Sequence, residues 1–239
     1  MWKVNILTLF PEIYLNNFFY SIFGRSLRSN SWYLEAQNIR NYSLNKRGIV
    51  DSSPYGGGSG MVLKPDTLGT AVENFFLKNT NPIIYLTPRG ALFNQLMAKN
   101  FAKIEGVNIL CGRFEGIDER IIKEYSMFEV SIGDYILSSG DIAAFVLMDC
   151  CLRFVEGYIS NKHSLIEESF GEDQYNNLLE YPHYAKPMVW KSNKVPEVLI
   201  SGNHKEISEW RFNQAKKTTK DRRPDLWNKY LKGDINEPS

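Results

Sequence analysis

Cysteine and histidine are scarce in this chain, with three of each among 239 residues. The cysteines are Cys111 and the adjacent pair Cys150 and Cys151, so there is no C-x-x-C spacing and no disulfide framework. His163, His183 and His204 lie far apart and form no H-E-x-x-H pair, which leaves no metal-ligand set to read. Long apolar runs are missing too. The opening MWKVNILTLFPEI is apolar only from Val4 to Phe10, too short for a bilayer span and without a small-residue cleavage site. It reads as the buried first strand of a cytoplasmic protein with no membrane association. Phosphate motifs are also absent: GGGSGMVLK lacks the Walker spacing, and no G-x-G-x-x-G opens a helix after the first strand. Net charge is only +1, which by itself favours no acidic partner. At 43% hydrophobic and 23% charged, the composition is that of an average soluble protein with a sizeable core.

What is present is a set of short apolar runs bounded by glycine, proline or polar residues: VNILTLF (4–10), PIIYLTP (82–88), VNILCG (107–112) and FEVSIG (128–133). Helix-like segments at 12–22, 91–104, 116–125 and 141–155 lie between and after them. Strands apolar on both faces that alternate with helices predict an α/β domain with a parallel sheet. SWYLEAQNIR (31–40) supplies a further, less buried strand. After Phe154 the texture turns polar, then 203–217 and 224–232 read as helices with Trp210 and Trp227 as packing anchors. The expected organisation is an α/β domain at 1–158, a linker at 159–174 and a small, mainly helical domain at 175–239.

Three features carry chemistry. In open α/β sheets ligands bind past the carboxyl ends of the strands, and three such ends, YLTPRG (85–90), LCGRFEGIDER (110–120) and SIGDYILSSGD (131–141), offer accessible backbone beside glycine, serine or threonine. Together they suit a small polar molecule with an aromatic ring. SSPYGGGSGM (52–61) places four glycines in five positions, costly unless the backbone conformation requires them. Tyr55, Met61 and Val62 flank that run, which argues against a flexible linker. From Arg211 to Arg223 there are six positive charges against Asp221 alone, a pattern that attracts a phosphate backbone or covers a solvated helix face. On composition alone Glu167 and Glu168 read as solvated, Arg153 as a helix C-terminal cap, and Cys150 and Cys151 as buried inert thiols.

MWKVNILTLFPEI, VDSSPYGGGSGM, CGRFEGIDER, SIGDYILSSGD and LISGNHKEISEWR, taken in order, resemble the TrmD family of bacterial tRNA (guanine-N1)-methyltransferases, in the SPOUT class of S-adenosylmethionine enzymes. The resemblance spans nearly the whole chain. It implies a trefoil knot near the C-terminal end of the first domain, a topology that general folding rules would not suggest. It also implies an S-adenosylmethionine-binding first domain, a tRNA-binding helical second domain, and a homodimer with active sites at the subunit interface. The implied reaction moves a methyl group to N1 of the guanosine 3′ to the anticodon. Family members use magnesium, for which no ligands can be identified here.

The same resemblance assigns residues. The methyl donor would be held by Tyr85, Leu86, Thr87, Pro88, Gly112, Ser131, Ile132, Gly133, Tyr135, Leu137 and Gly140, with Glu115 near the donor and the target base. The target guanosine would dock on the glycine run at Gly57, Gly58 and Gly60, with Asp51 at the guanine edge and Ser169 nearby; Arg211, Lys216 and Lys217 would grip the tRNA. The family's general base is an aspartate in E-D-S-F, which here reads EESF and points to Glu168. Arg153, in LRFVEG, matches the arginine that stabilises charge on the guanine O6, a role suited to a permanently charged guanidinium.

The chain departs from the family at four places: Glu168 for aspartate, Phe114 for tyrosine, Ser139 for glycine and Ala143 for proline. Of these, Ser139 would disturb donor binding if its position needed a left-handed backbone. Two rival readings follow, a tRNA-binding relative without turnover and a methyltransferase of this fold acting on another RNA base.

Overall fold

The structure is a computed structural model that describes residues 1–17, 20–159 and 165–233. Two compact units divide the chain, Met1–Ser160 and Asn161–Glu237. Of the segment expected as a linker, 160–164 lies outside the described residues and 165–174 belongs to the second unit.

The first unit runs β1 (Trp2–Thr8), α1 (Glu12–Asn17), α2 (Ser21–Arg28), β2 (Trp32–Asn38), β3 (Asp51–Ser52), β4 (Val62–Leu63) and α3 (Pro65–Phe75). It continues with β5 (Ile83–Leu92), α4 (Gln95–Lys103), β6 (Gly106–Leu110), α5 (Glu119–Glu124), β7 (Phe128–Ser131) and α6 (Gly140–Leu152). Five strands form one sheet in the order β2-β1-β6-β5-β7, and every pairing in it is parallel. Val4, Ile6, Ile84, Leu86 and Ile109 face a core shared with α4 and α6, whereas Leu7, Ile83, Tyr85 and Leu110 face α3 and α5. Both sheet faces are therefore covered, which explains strands that are apolar throughout; each buried aliphatic side chain contributes about 1.5–3 kcal/mol.

Local chemistry explains where the elements differ from expectation. The segment 12–22 is not one helix: the backbone at Ser21 is left-handed (φ 57°), which a right-handed helix does not continue through, and residues 18 and 19 lie outside the described residues. β5 runs on to Leu92, and α4 starts later than expected because the Asn94 side chain caps it by accepting from the Met97 N–H. α3 was not expected. Its signals are Pro65 at the first turn and a buried stripe of Leu68, Ala71, Val72 and Phe75.

The second unit carries β8 (Val189–Trp190), β9 (Asn193–Lys194), α7 (His204–Arg222) and α8 (Pro224–Lys232). Its core is small, with Tyr175, Leu178, Tyr181 and Ala215 packed against Phe212, Trp227 and Tyr230. Trp227 stacks on Tyr230, while Trp210 leans on Tyr184. α7 extends beyond the expected 203–217, so nearly all of the basic run is helical. Among the described residues no helix is long and apolar enough to cross a membrane.

Candidate active site

β6, β5 and β7 are neighbours and parallel, so their carboxyl ends open on one edge of the sheet. There the pairing of β5 with β7 shifts register between Leu86 and Ala91, and the chain bulges out through Thr87, Pro88, Arg89 and Gly90. This bulge, the segment after β6 and the segment after β7 enclose a cavity of about 510 Å³. That size is within the range of about 300–1,000 Å³ usual for small-molecule and cofactor sites. All twelve residues named above for the donor line it, Glu115 included. Arg89, Arg113, Phe114, Ile136, Ser139 and Ala143 line it as well; the first five fall within the three strand-end segments read from the sequence, though none had been given an individual contact with the donor.

The walls fit an adenosine-like group. Leu86, Ile132 and Leu137 are apolar, and Thr87 and Ser131 place polar side chains in nearly buried positions. The Gly140 N–H donates to the Gly112 carbonyl at 2.9 Å. A Cβ at Gly140 would lie 3.0 Å from the Gly112 nitrogen and 3.1 Å from the Cys111 Cα, closer than a side chain tolerates without backbone movement. The start of α6 is thereby pressed onto the end of β6. Ser131 Oγ accepts from the Gly133 N–H, and the Tyr135 hydroxyl donates to the Ile132 carbonyl at 3.0 Å, closing the third segment on itself.

Ser139 has φ −162°, extended backbone that any residue adopts, and its hydroxyl accepts from the Asp141 N–H as the cap of α6. Serine in place of the family's glycine therefore costs no backbone strain and supplies a favoured cap. Phe114 does occupy the left-handed region, at φ 58°. At the cavity mouth Arg89 bridges Glu119 (3.1 Å) and Glu129 (3.3 Å).

Behind the cavity lies a buried polar group that the sequence did not reveal. Asp141 accepts from the Thr8 hydroxyl at 2.6 Å and from the Tyr14 hydroxyl at 2.9 Å, and Cys111 Sγ lies 3.2 Å from that phenol. Burial pushes the Tyr14 hydroxyl far up, with Cys111 and Asp141 adding to it, and burial likewise raises Cys111. Both stay protonated, so the phenol remains a donor to the carboxylate. An acid in the first turn of a helix ordinarily reads as a solvated partner of the helix dipole, which is why burial here had no sequence signal.

The glycine run hangs from the β3–β4 pair, in which Asp51 lies opposite Leu63. Gly56, Gly57, Gly58 and Gly60 all have positive φ (86°, 80°, 118° and 90°). A Cβ on Gly57 or Gly58 would meet nothing within 4 Å, so the need for glycine there is conformational and the surface in front stays open. The far end of the run is tied to the cavity wall. The Glu115 N–H donates to the Met61 carbonyl (2.9 Å), the Leu63 N–H donates to the Gly116 carbonyl (3.0 Å), and a methyl group on Gly60 would collide with the Glu115 side chain.

Arg153 and Glu168 belong to different units. Arg153 is the C-cap of α6, and its charge partly offsets the rise that burial imposes on the Asp149 carboxyl. Glu168 is half-buried in a segment whose bonds include Gly171 N–H to the Glu168 carbonyl, Phe170 N–H to the Leu178 carbonyl, Glu172 N–H to the Ile166 carbonyl, and Glu180 N–H to Ser169 Oγ. Its neighbour Glu167 accepts from the Tyr181 hydroxyl (3.1 Å) and pairs with Arg211 (3.5 Å), whose guanidinium lies over the Tyr181 ring. Burial, with Glu167 adding, pushes Tyr181 up to about 12. Arg211 is thus engaged by Glu167 and Tyr181 while staying partly exposed, whereas Lys217 is exposed and Lys216 sits over the Phe212 ring. Among the described residues no three His, Cys, Asp or Glu side chains gather as they would to hold magnesium.

A parallel α/β sheet with a cofactor-sized cavity at three adjacent strand ends places the chain among proteins that bind a small molecule at such an edge. A family model described as tRNA (Guanine-1)-methyltransferase TrmD matches residues 2–229. A tRNA (guanine-N(1)-)-methyltransferase of Wolbachia pipientis subsp. Culex pipiens (strain wPip) is 49% identical over 228 residues, covering 95% of this chain and 97% of that protein. Proteins of the same name from Wolbachia pipientis wMel (48% identical, 99% and 98% covered) and Ehrlichia canis (strain Jake) (44%, 98% and 99%) are similar over their full lengths. The chain belongs to the TrmD family, and its parallel sheet is that of the SPOUT fold.

Proposed function

We propose that this protein transfers a methyl group from S-adenosylmethionine to N1 of the guanosine 3′ to the anticodon of tRNA, giving 1-methylguanosine. The observation that carries this reading is the contact of Gly60 with Glu115, which joins the glycine run to the wall of the donor cavity. A base lying on the open face of Gly57 and Gly58, with Asp51 at its edge, would then stand beside the donor. S-adenosylmethionine supplies a methyl group made electrophilic by its sulfonium. The residues of the three strand-end segments hold and orient it, and such alignment can lower a barrier by roughly 7–11 kcal/mol.

N1 of guanine carries a proton that must leave as the nitrogen becomes the nucleophile. Glu168 takes that proton, and Arg153 holds the charge that builds on O6. A positioned base contributes about 10²–10⁴-fold. Glu167, Tyr181 and Arg211 fix the segment that carries Glu168, while Lys216, Lys217 and the rest of the basic run on α7 engage phosphates.

The finer features of the family are part of this proposal. The first unit is the knotted donor domain, supported by the close approach of Gly140 to Gly112 and Cys111. The second unit binds tRNA. The protein works in the cytoplasm as a homodimer with its active sites at the subunit interface, supported by the exposed apolar pair Ile142 and Val146 one turn apart on α6.

Transfer of label from S-adenosylmethionine to a tRNA transcript, comparing wild type, Glu168→Asp and Glu168→Ala, tests the reading. Wild-type turnover that falls about 10²–10⁴-fold in the alanine variant, with donor affinity kept, is the expected result. A silent wild type revived by aspartate would show a carboxylate out of reach, and a transcript methylated equally well with adenosine at the target position would refute the base specificity.

A further inference from the structure

Among the described residues strands β8 and β9 pair only with each other, Val189 with Lys194 and Trp190 with Asn193, and none of their side chains belongs to the core of the second unit. Residues 182–194 are all exposed. Trp190 is 62% exposed, although tryptophan is among the more buried residue types on average. Lys186, Lys191 and Lys194 flank it along the chain, and no aspartate or glutamate occurs between residues 181 and 196. The Lys191 ammonium sits 4.7 Å from the centroid of the Trp190 ring. The hairpin therefore presents a flat aromatic surface edged by cations, on a segment that packing does not require to be there.

We propose that this hairpin is a second RNA contact, separate from the glycine run and from α7. An unpaired base of the tRNA stacks on the Trp190 indole, and the flanking phosphates are held by Lys186, Lys191 and Lys194. Aromatic platforms combined with lysine or arginine are how proteins hold unpaired nucleotides, since every base has a π-face and every linkage a negative charge. A protein partner fits less well, because lysine is depleted where protein surfaces meet. The inference rests on tRNA being the substrate, as proposed above.

The test uses the full chain and a tRNA transcript, with affinity measured over a series of salt concentrations. Trp190→Ala is expected to weaken binding about 5- to 140-fold, the equivalent of the roughly 1–3 kcal/mol of one base stacked on an aromatic ring. Trp190→Phe should recover most of that loss and Trp190→Leu should not. The slope of log K against log salt should be unchanged in Trp190→Ala. In the Lys191→Ala, Lys194→Ala double variant it should shrink by about 0.7–0.9 for each phosphate no longer neutralised.

Donor affinity and melting temperature should stay at wild-type values in all of these, because the hairpin lies outside the cores. Wild-type affinity in Trp190→Ala, or full recovery by leucine, overturns the hairpin proposal while leaving the methyltransferase reading standing. A change of oligomeric state in Trp190→Ala with tRNA affinity intact also overturns it, in favour of a protein-facing surface. A wild type that binds no tRNA overturns both.

Discussion

The strand-end cavity and the segment carrying Glu168 are held in place by different means. Around the cavity the position of each loop is set by backbone: Gly140 against Gly112, Glu115 against Met61, Leu63 against Gly116. Behind it Asp141 joins α6 to β1 and α1 through fully buried bonds. Around Glu168 the arrangement rests in part on half-exposed side chains, with Arg211 lying between Glu167 and Tyr181. Under the function proposed above, a site that must hold one cofactor in one shape is built into the core, while the carboxylate assigned as base sits where small rearrangements are cheap.

Asp141→Ala tests that contrast with the largest expected cost. It leaves the Thr8 hydroxyl and the Tyr14 phenol buried without their acceptor, at about 1–3 kcal/mol each. Urea unfolding should show a loss of roughly 2–6 kcal/mol, with weaker donor binding by calorimetry. Asp141→Asn, which keeps an acceptor, should recover part of both. If stability falls while donor affinity does not, the buried group supports the fold only.

Arg211→Ala should behave in the opposite way. Its ion pair is more than a third exposed, so the stability loss should stay below about 1 kcal/mol. Turnover should nevertheless fall several-fold with donor affinity unchanged, because the segment carrying Glu168 loosens. Equal tRNA affinity in this variant would fit a structural role, whereas a loss confined to tRNA binding would restore Arg211 to the RNA surface.

The smallest effect belongs to a pair at the edge of the cavity segment, half-buried at Asp118 and exposed at Arg120. The Arg120 guanidinium, with the Arg120 N–H, holds the Asp118 carboxyl below its ordinary range. The unfolded chain takes up this proton first as pH falls, so the contribution is complete above about pH 4–5 and fades as pH drops through the lower folded value. Asp118→Asn should flatten the acid limb of a stability–pH profile by a few tenths of a kcal/mol and leave neutral-pH donor binding unchanged.

Much of the strand-end cavity was legible because its physics is local. Apolar runs covered on both faces announce parallel strands, and parallel strands place ligands at their carboxyl ends, so the segments after β5, β6 and β7 could be named from the chain alone. α3 was equally legible and was overlooked, since Pro65 and the stripe Leu68, Ala71, Val72, Phe75 carry an ordinary helical signal. Arg153 and Glu168 had none. Their residue types and neighbours are those of solvated surface, and only resemblance to the family singles them out. The basic hairpin could be seen in KPMVWKSNKV as composition, yet the exposure of Trp190 could not.

Preferences that act within a few residues were already written in the chain: the left-handed glycines of 56–60, the Ser139 cap, and the alternation that buries both faces of the sheet. Contacts between distant segments were not. Thr8 and Tyr14 reach Asp141 across more than a hundred residues, and Glu115 comes to Gly60 only because β4 runs beside the segment after β6. Desolvation and close approach depend on which surfaces the fold brings together, and neighbours along the chain carry no record of that.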